Sequence, residues 1–270
     1  MKTTTTNRTQ ETRTTTTTTE TKGAKNTMKT TIKAAAAATV KKTSYNLAVL
    51  WAALRLFLGL ASVKISISGG NRKTGAIPAF SLLPGVTCSK EACRHCLQEG
   101  CYAVKSAFQH GYNVDKNTTL SAWARNTAAA KEHLPELEAY LDQYFSSMTA
   151  PTFFRIHVSG DFFSVAYAEM WRRVIKRHPG TRFLFFTKQW DVMRAVNFLG
   201  IENLSPVLSG WTGCDVPQDL IDAGYRVAWC DDGIENRIPA DAIECPGHCE
   251  ACGMCWNLYR LQKDTYFHKH

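Results

Sequence analysis

No glycine-rich phosphate loop and no paired nucleophile and base appear in the 270 residues, which argues against a hydrolase or another metal-independent enzyme. No internal repeat is present. A secretory leader is not visible either, because the one long apolar run begins at residue 47, too far along for a signal peptide. Net positive charge is nearly lacking outside a tail. The net charge is +9, but residues 1–44 hold nine Lys/Arg against two Asp/Glu, which leaves only +2 for the other 226 residues. A basic balance ordinarily hints at nucleic acid, and here that hint comes from the tail. Ten cysteines are too few for a small disulfide-stapled scaffold. They are also clustered, four at 88–101 and four at 245–255. Tight spacing without a leader points to metal and to a reducing, cytoplasmic setting.

The chain has room for one substantial core with a small appended module. Residues 1–44 contain eighteen Thr and the run KAAAAATVKK. They offer nothing to bury and are expected to be a disordered tail, or a basic arm touching nucleic acid or an anionic surface. Residues 45–63 carry LAVLWAALRLFLGLASV. This is short for a membrane span, and Arg55 at its centre would cost about 3 kcal/mol there. A buried or packing helix is expected, with no stable membrane insertion. The folded α/β domain is expected over 64–240, and a cysteine-rich metal-binding segment over 241–270.

Within 64–240, VKISIS has strand character and leads through a Gly- and Pro-rich loop to the first cysteines. Two helices are predicted over 118–147, divided near Pro135. A buried strand is predicted over 152–158, then a helix over 165–178 with Tyr167, Met170, Trp171, Val174 and Ile175 on one face. Another strand follows at 182–186, a helix at 190–199, and short strands near 204–208 and 226–230. Alternating strands and helices argue for a mainly parallel α/β sheet or barrel.

The two cysteine sets differ. Cys245, Cys249, Cys252 and Cys255 are spaced so that four thiolates can converge on one centre, either zinc or an iron–sulfur cluster. His248 is adjacent to Cys249, which makes joint ligation awkward. Cys88, Cys93, Cys96 and Cys101 offer four thiols with His95 among them. Use of all four would make a closed structural site, and use of three would leave an open iron. Cys214 and Cys230 read as buried structural cysteines.

In parallel α/β folds, functional groups gather where strands end. Asp161 follows a Ser-Gly turn after the second strand and reads as a ribose acceptor or a helix cap, with Ser164 as the alternative cap. Lys188 ends the next strand and suits a carboxylate or phosphate, or is a surface lysine. Arg155 and His157 alternate with Phe154, Ile156 and Val158, so they are expected on one strand face, where both are costly unless paired. His157 reads also as a satisfied structural histidine. Asn71, in the loop before the cysteines, joins Arg155, His157, Asp161 and Lys188 as a candidate cofactor contact.

The ordered text SGGNRKTGAIPAFSLLPGVTC…CYAVK, FFRIHVSGDFFSVAYAEMW, FLFFTK, LSGW and CPGHCEACGMCW…FHKH resembles the phage gene product 88 family over roughly 64–270. The order Cys…Cys…Cys-Tyr-Ala, then SGDFF, then FTK is more remotely similar to radical S-adenosylmethionine (SAM) phage proteins. That likeness implies a partial (β/α) barrel and a 4Fe-4S cluster held by three cysteines, which cleaves SAM to a 5′-deoxyadenosyl radical. Carried over, Cys88, Cys101 and one of Cys93 or Cys96 would hold the cluster. Asp161 would face the SAM ribose or amino group, and Lys188 its carboxylate; these two are the candidate catalytic residues. The usual Cys-x3-Cys-x2-Cys spacing is absent at 88–101 and present at Cys245, Cys249 and Cys252, so the second set is read as an auxiliary centre. No Gly-Gly-Glu stretch follows the first helix. The expected protein is a radical-SAM-like iron–sulfur enzyme acting on a nucleic acid or a protein. The competing expectation is a zinc protein with two structural four-cysteine sites and a binding role in phage or plasmid metabolism.

Overall fold

The computed structural model describes residues 64–90, 101–109, 118–211, 213–233 and 237–268. The expectations for 1–44, for 47–63 and for Cys93, His95 and Cys96 fall outside the described residues. Seven strands run parallel in one sheet: β1 (Ala79–Phe80), β2 (Phe153–Ile156), β3 (Arg182–Thr187), β4 (Leu204–Gly210), β5 (Arg226–Asp231), β6 (Ile243–Glu244) and β7 (Thr265–His268), in the order β1-β2-β3-β4-β5-β7-β6. The register places Phe80 beside Ile156, Ile156 beside Phe185, Phe186 beside Val207 and Gly210 beside Trp229. All strand carboxyl ends therefore share one edge.

Helices connect the strands: α1 (Tyr102–Gln109), α2 (Thr119–Glu132), α3 (Leu134–Phe145), α4 (Val165–Arg177), α5 (Trp190–Ala195) and α6 (Gln218–Asp222). The division of α2 from α3 falls at His133, with Pro135 in the first turn of α3, where its missing N–H costs nothing. Ser164 caps α4 by accepting from the Tyr167 N–H. The α4 face predicted from its 3.6-residue period is fully buried. Helix α5 stops at residue 195, short of the expected 199, because Val196 turns extended and sends itself and Phe198 into the core.

A parallel sheet must bury both faces. One face, with Phe154, Ile156, Phe183, Phe185, Leu208 and Val227, packs under α2 to α6. The alternate side chains Leu184, Val207 and Ala228 meet Ile77, Trp256 and Leu258 on the other face. That second cover is the cysteine-rich segment itself, which forms α7 (Cys249–Cys252), a 3-10 turn (Met254–Asn257) and α8 (Leu258–Leu261).

VKISIS is not the first strand. Only Ser68 forms a bridge, to Ala79, and β1 is that later pair of residues. The reason is Asn126 on α2. Its Oδ1 accepts from the Ser66 N–H, and its Nδ2 donates to the Ser66 and Ser81 carbonyls, all at 2.8–3.0 Å. A side chain thus takes the backbone groups that a neighbouring strand would have taken. Unpaired buried backbone groups cost about 1–3 kcal/mol each. Asn126→Ala is expected to lower unfolding stability by about 2–4 kcal/mol in urea titration; a change within experimental scatter would rule out this anchor.

Candidate metal and cofactor sites

The first cysteine loop leaves the carboxyl end of β1 and is stitched across the ends of β2 and β3. Thr87 is fully buried. Its Oγ1 donates to the Leu83 carbonyl and accepts from the Asp161 N–H, and its carbonyl accepts from Gln189 Nε2. The next residue, Cys88, accepts from the Gly85 N–H at its Sγ. At the far side of the loop, Tyr102, next to Cys101, donates its hydroxyl to the Val158 carbonyl. Cys88 and Cys101 are thereby held at the strand edge where such folds place their chemistry. Gly160, at φ +78°, lets the Ser-Gly-Asp turn lie under this loop, since a Cβ there would meet Leu82 Cβ and Thr87 Oγ1 at 2.6 Å.

Asp161 is buried, and both its oxygens are engaged. They accept from the Phe162 N–H (2.8 Å), the Thr187 hydroxyl (2.6 Å) and the Lys188 N–H (2.8 Å). The carboxylate latches the end of β2 to the end of β3, and the α4 cap is Ser164. Burial raises its pKa from 3.8 to about 6 against the pull of these donors. Lys188 Nζ donates to Ser209 Oγ (2.9 Å) and lies 5.0 Å from the Trp211 ring centre. Trp211 Nε1 donates to the same Ser209 oxygen. The FTK and LSGW stretches thus meet as one polar cluster, and neither Ser209 nor Trp211 was picked out beforehand. Adjacent strand-end motifs were the available signal.

His157 does not share a face with Arg155. It lies just past β2 with φ +63°, a left-handed turn that breaks strand alternation. Its ring swings into the helix-side core, where Nε2 bonds the Tyr167 hydroxyl at 2.8 Å. Burial, then the charge of Arg155, lowers its pKa to about 3, so the ring is neutral. Asn71 builds a turn: its Oδ1 accepts from the Lys73 and Thr74 N–H groups.

That turn presents the Lys73 carbonyl to the Cys249 N–H (2.9 Å). Glu250 reaches back to the Ala76 N–H, and the glycine at position 75 leaves the space Glu250 occupies. Cys245 N–H is tied to the Tyr266 carbonyl of β7 at 2.7 Å. Cys249 and Cys252 sit one turn apart on α7, and left-handed Gly253 ends that turn and starts the next, which carries Cys255. All four cysteines line one pocket, together with His248, Met254, Trp256 and Thr265. None of them is in a disulfide. Among the described residues no three Cys, His, Asp or Glu side chains group tightly enough for a single metal ion. The thiols share a pocket without closing on one point. Burial pushes the Cys255 thiol up to about 12 and that of Cys249 upward as well, while Arg155 draws both down. Cys214 and Cys230 are buried and border a separate cleft beside Trp211 and Trp229.

A parallel α/β sheet with α2 to α6 on one face and a segment holding a four-thiol pocket on the other defines the class of protein. Its family follows from comparison. The profile described as Gene product 88 matches residues 60–258, which include all four C-terminal cysteines, and the chain belongs to that phage protein family. It is similar to the Gene 88 protein of Mycobacterium phage L5, 27% identical over 214 residues, which are 70% of this chain and 87% of that protein. It is also similar to the Gene 88 protein of Mycobacterium phage D29, 26% identical over 216 residues with the same coverage. No solved structure matches.

The Asp161 latch has a pH signature. Between 3.8 and about 6 the folded chain retains a proton that the unfolded chain has released. More protons bound in the folded state mean that stability falls as pH rises through this window, by about 3 kcal/mol at most. Urea titrations from pH 4 to 7 are expected to show that fall in the wild type relative to Asp161→Asn. Parallel pH profiles for the two would refute it.

Proposed function

We propose that the protein is a 4Fe-4S iron–sulfur protein with a radical-SAM-like partial barrel and an auxiliary C-terminal centre. The observation that carries this reading is that Cys245, Cys249, Cys252 and Cys255 all line one pocket in the segment that covers the second sheet face. Thiol-only ligand sets suit iron–sulfur clusters and structural zinc. The sequential strand order β1 to β5 supports the barrel-like part, because it leaves the strand ends and the first cysteine loop on one edge.

The chain's own groups suit such chemistry at that edge. Cys88 and Cys101 would hold the first cluster with Cys93 or Cys96. Lys188, anchored on Ser209 and stacked on Trp211, offers an ammonium to a carboxylate. Asp161, with its oxygens spent on the latch, would act by fixing where Lys188 and the loop sit. When bound, a cluster with an open iron supplies one-electron reduction of SAM; the protein's part is to bind, orient and exclude water. A nucleic acid or a protein remains the proposed substrate class. No helix among the described residues is long and apolar enough to cross a membrane.

Purification without oxygen should give a coloured protein with several irons and sulfides per chain, and Cys245→Ala with Cys252→Ala should remove the auxiliary share of that iron. A colourless protein with about two zincs would overturn the reading in favour of structural zinc sites. Under reduction, SAM should yield 5′-deoxyadenosine, and of Cys93→Ala and Cys96→Ala only one should abolish it. Loss with neither or with both would refute the three-cysteine assignment.

A further inference from the structure

Two buried N–H donors on the sheet face that carries the four-thiol pocket have no hydrogen-bond partner. Trp256 lines the pocket and is 5% exposed. Its Nε1 is buried without a hydrogen-bond partner, and so is Nε of Arg155. Arg155 stands on the pocket side of β2. Its neighbours Phe154 and Ile156 go to the helix side, whereas Phe153 on its own side packs edge-on against the Trp256 ring at 5.4 Å. Among the described residues Arg155 makes no ion pair; its guanidinium lies over the Phe186 ring, 4.7 Å from the centre. Two buried donors left without partners inside a fold are costly.

We infer that Arg155 and Trp256 are positioning residues for the C-terminal centre, donating N–H hydrogen bonds to sulfur in a thiolate-held metal group, with Arg155 also offsetting its negative charge. This rests on the metal reading above, though not on which metal is bound. Sulfur of a metal-bound thiolate or of an inorganic sulfide accepts such bonds, and donors of this kind tune both metal retention and reduction potential.

The test uses the full chain purified without oxygen. Metal and sulfide content are measured first, since they decide the metal reading independently. Arg155→Gln and Trp256→Phe are then compared with the wild type for metal release to a chelator and, where iron is bound, for the reduction midpoint of the C-terminal centre in Cys88→Ala/Cys101→Ala protein. Each is expected to weaken retention 10–100-fold. Each should also shift the reduction equilibrium about tenfold toward the oxidised form, which is 59 mV for one electron. Phe153→Leu loosens packing on the Trp256 ring without touching either donor, and should stay within about twofold on both readouts. If both donor variants match the wild type, or if Phe153→Leu matches them, the donor roles are refuted. If zinc is found, the iron–sulfur reading fails while chelator release still decides the donors. If no metal binds under any loading, both fall.

Discussion

The sheet has two faces to bury, and the chain covers the second with its own cysteine-rich end. Trp256 and Leu258 press on Leu184, Val207 and Ala228, and Arg182 at the foot of β3 holds the Trp256 carbonyl and Asn257 at 2.7–2.8 Å. Tyr259 bonds the Pro206 carbonyl and receives the Arg226 N–H. These contacts fix the segment along the amino-terminal halves of the central strands. Once it is fixed there, the four thiols have no freedom to go elsewhere. The core and the four-thiol pocket are therefore parts of one packing problem.

At the carboxyl edge the governing contacts are polar. Thr87, Asp161, Thr187 and the Lys188 backbone form a chain from the first cysteine loop through β2 to β3. Lys188, Ser209 and Trp211 extend it to β4. Buried polar chains of this kind fix one arrangement and tolerate no partial satisfaction. They place Cys88 relative to the strand ends more firmly than loop residues alone would.

Much of this was legible in the sequence where one period or one composition dominates. Helix α4 shows a 3.6-residue apolar stripe and a Ser cap, and β3 is an unbroken apolar run, as a strand buried on both faces must be. The cysteine sets stood out by spacing. What escaped reading depends on contacts between distant residues. The first strand is two residues long and defined by its partner, β2. Strand β7, TYFH, looks polar and terminal, yet it inserts between β5 and β6. The side of His157 was misjudged because strict alternation holds only while the backbone stays extended, and one left-handed residue reverses it. The meeting of FTK with LSGW is a fact of register, which short strands do not announce.

On the proposed metal reading, Arg155 would serve as a counter-charge at the pocket. A thiol pushed up to about 12 stays protonated without help, and four thiolates in one pocket would repel one another. A metal dication, or a cluster of the same net charge, cancels only half of four thiolate charges. The remainder needs cations already in place. Arg155 supplies one from the sheet, and Lys73, whose charge also draws the Cys249 thiol down, supplies another from the loop whose carbonyl holds Cys249. In the proposed loaded state the half-buried guanidinium would be that counter-charge. A metal held this way would add its binding free energy to the stability of the fold.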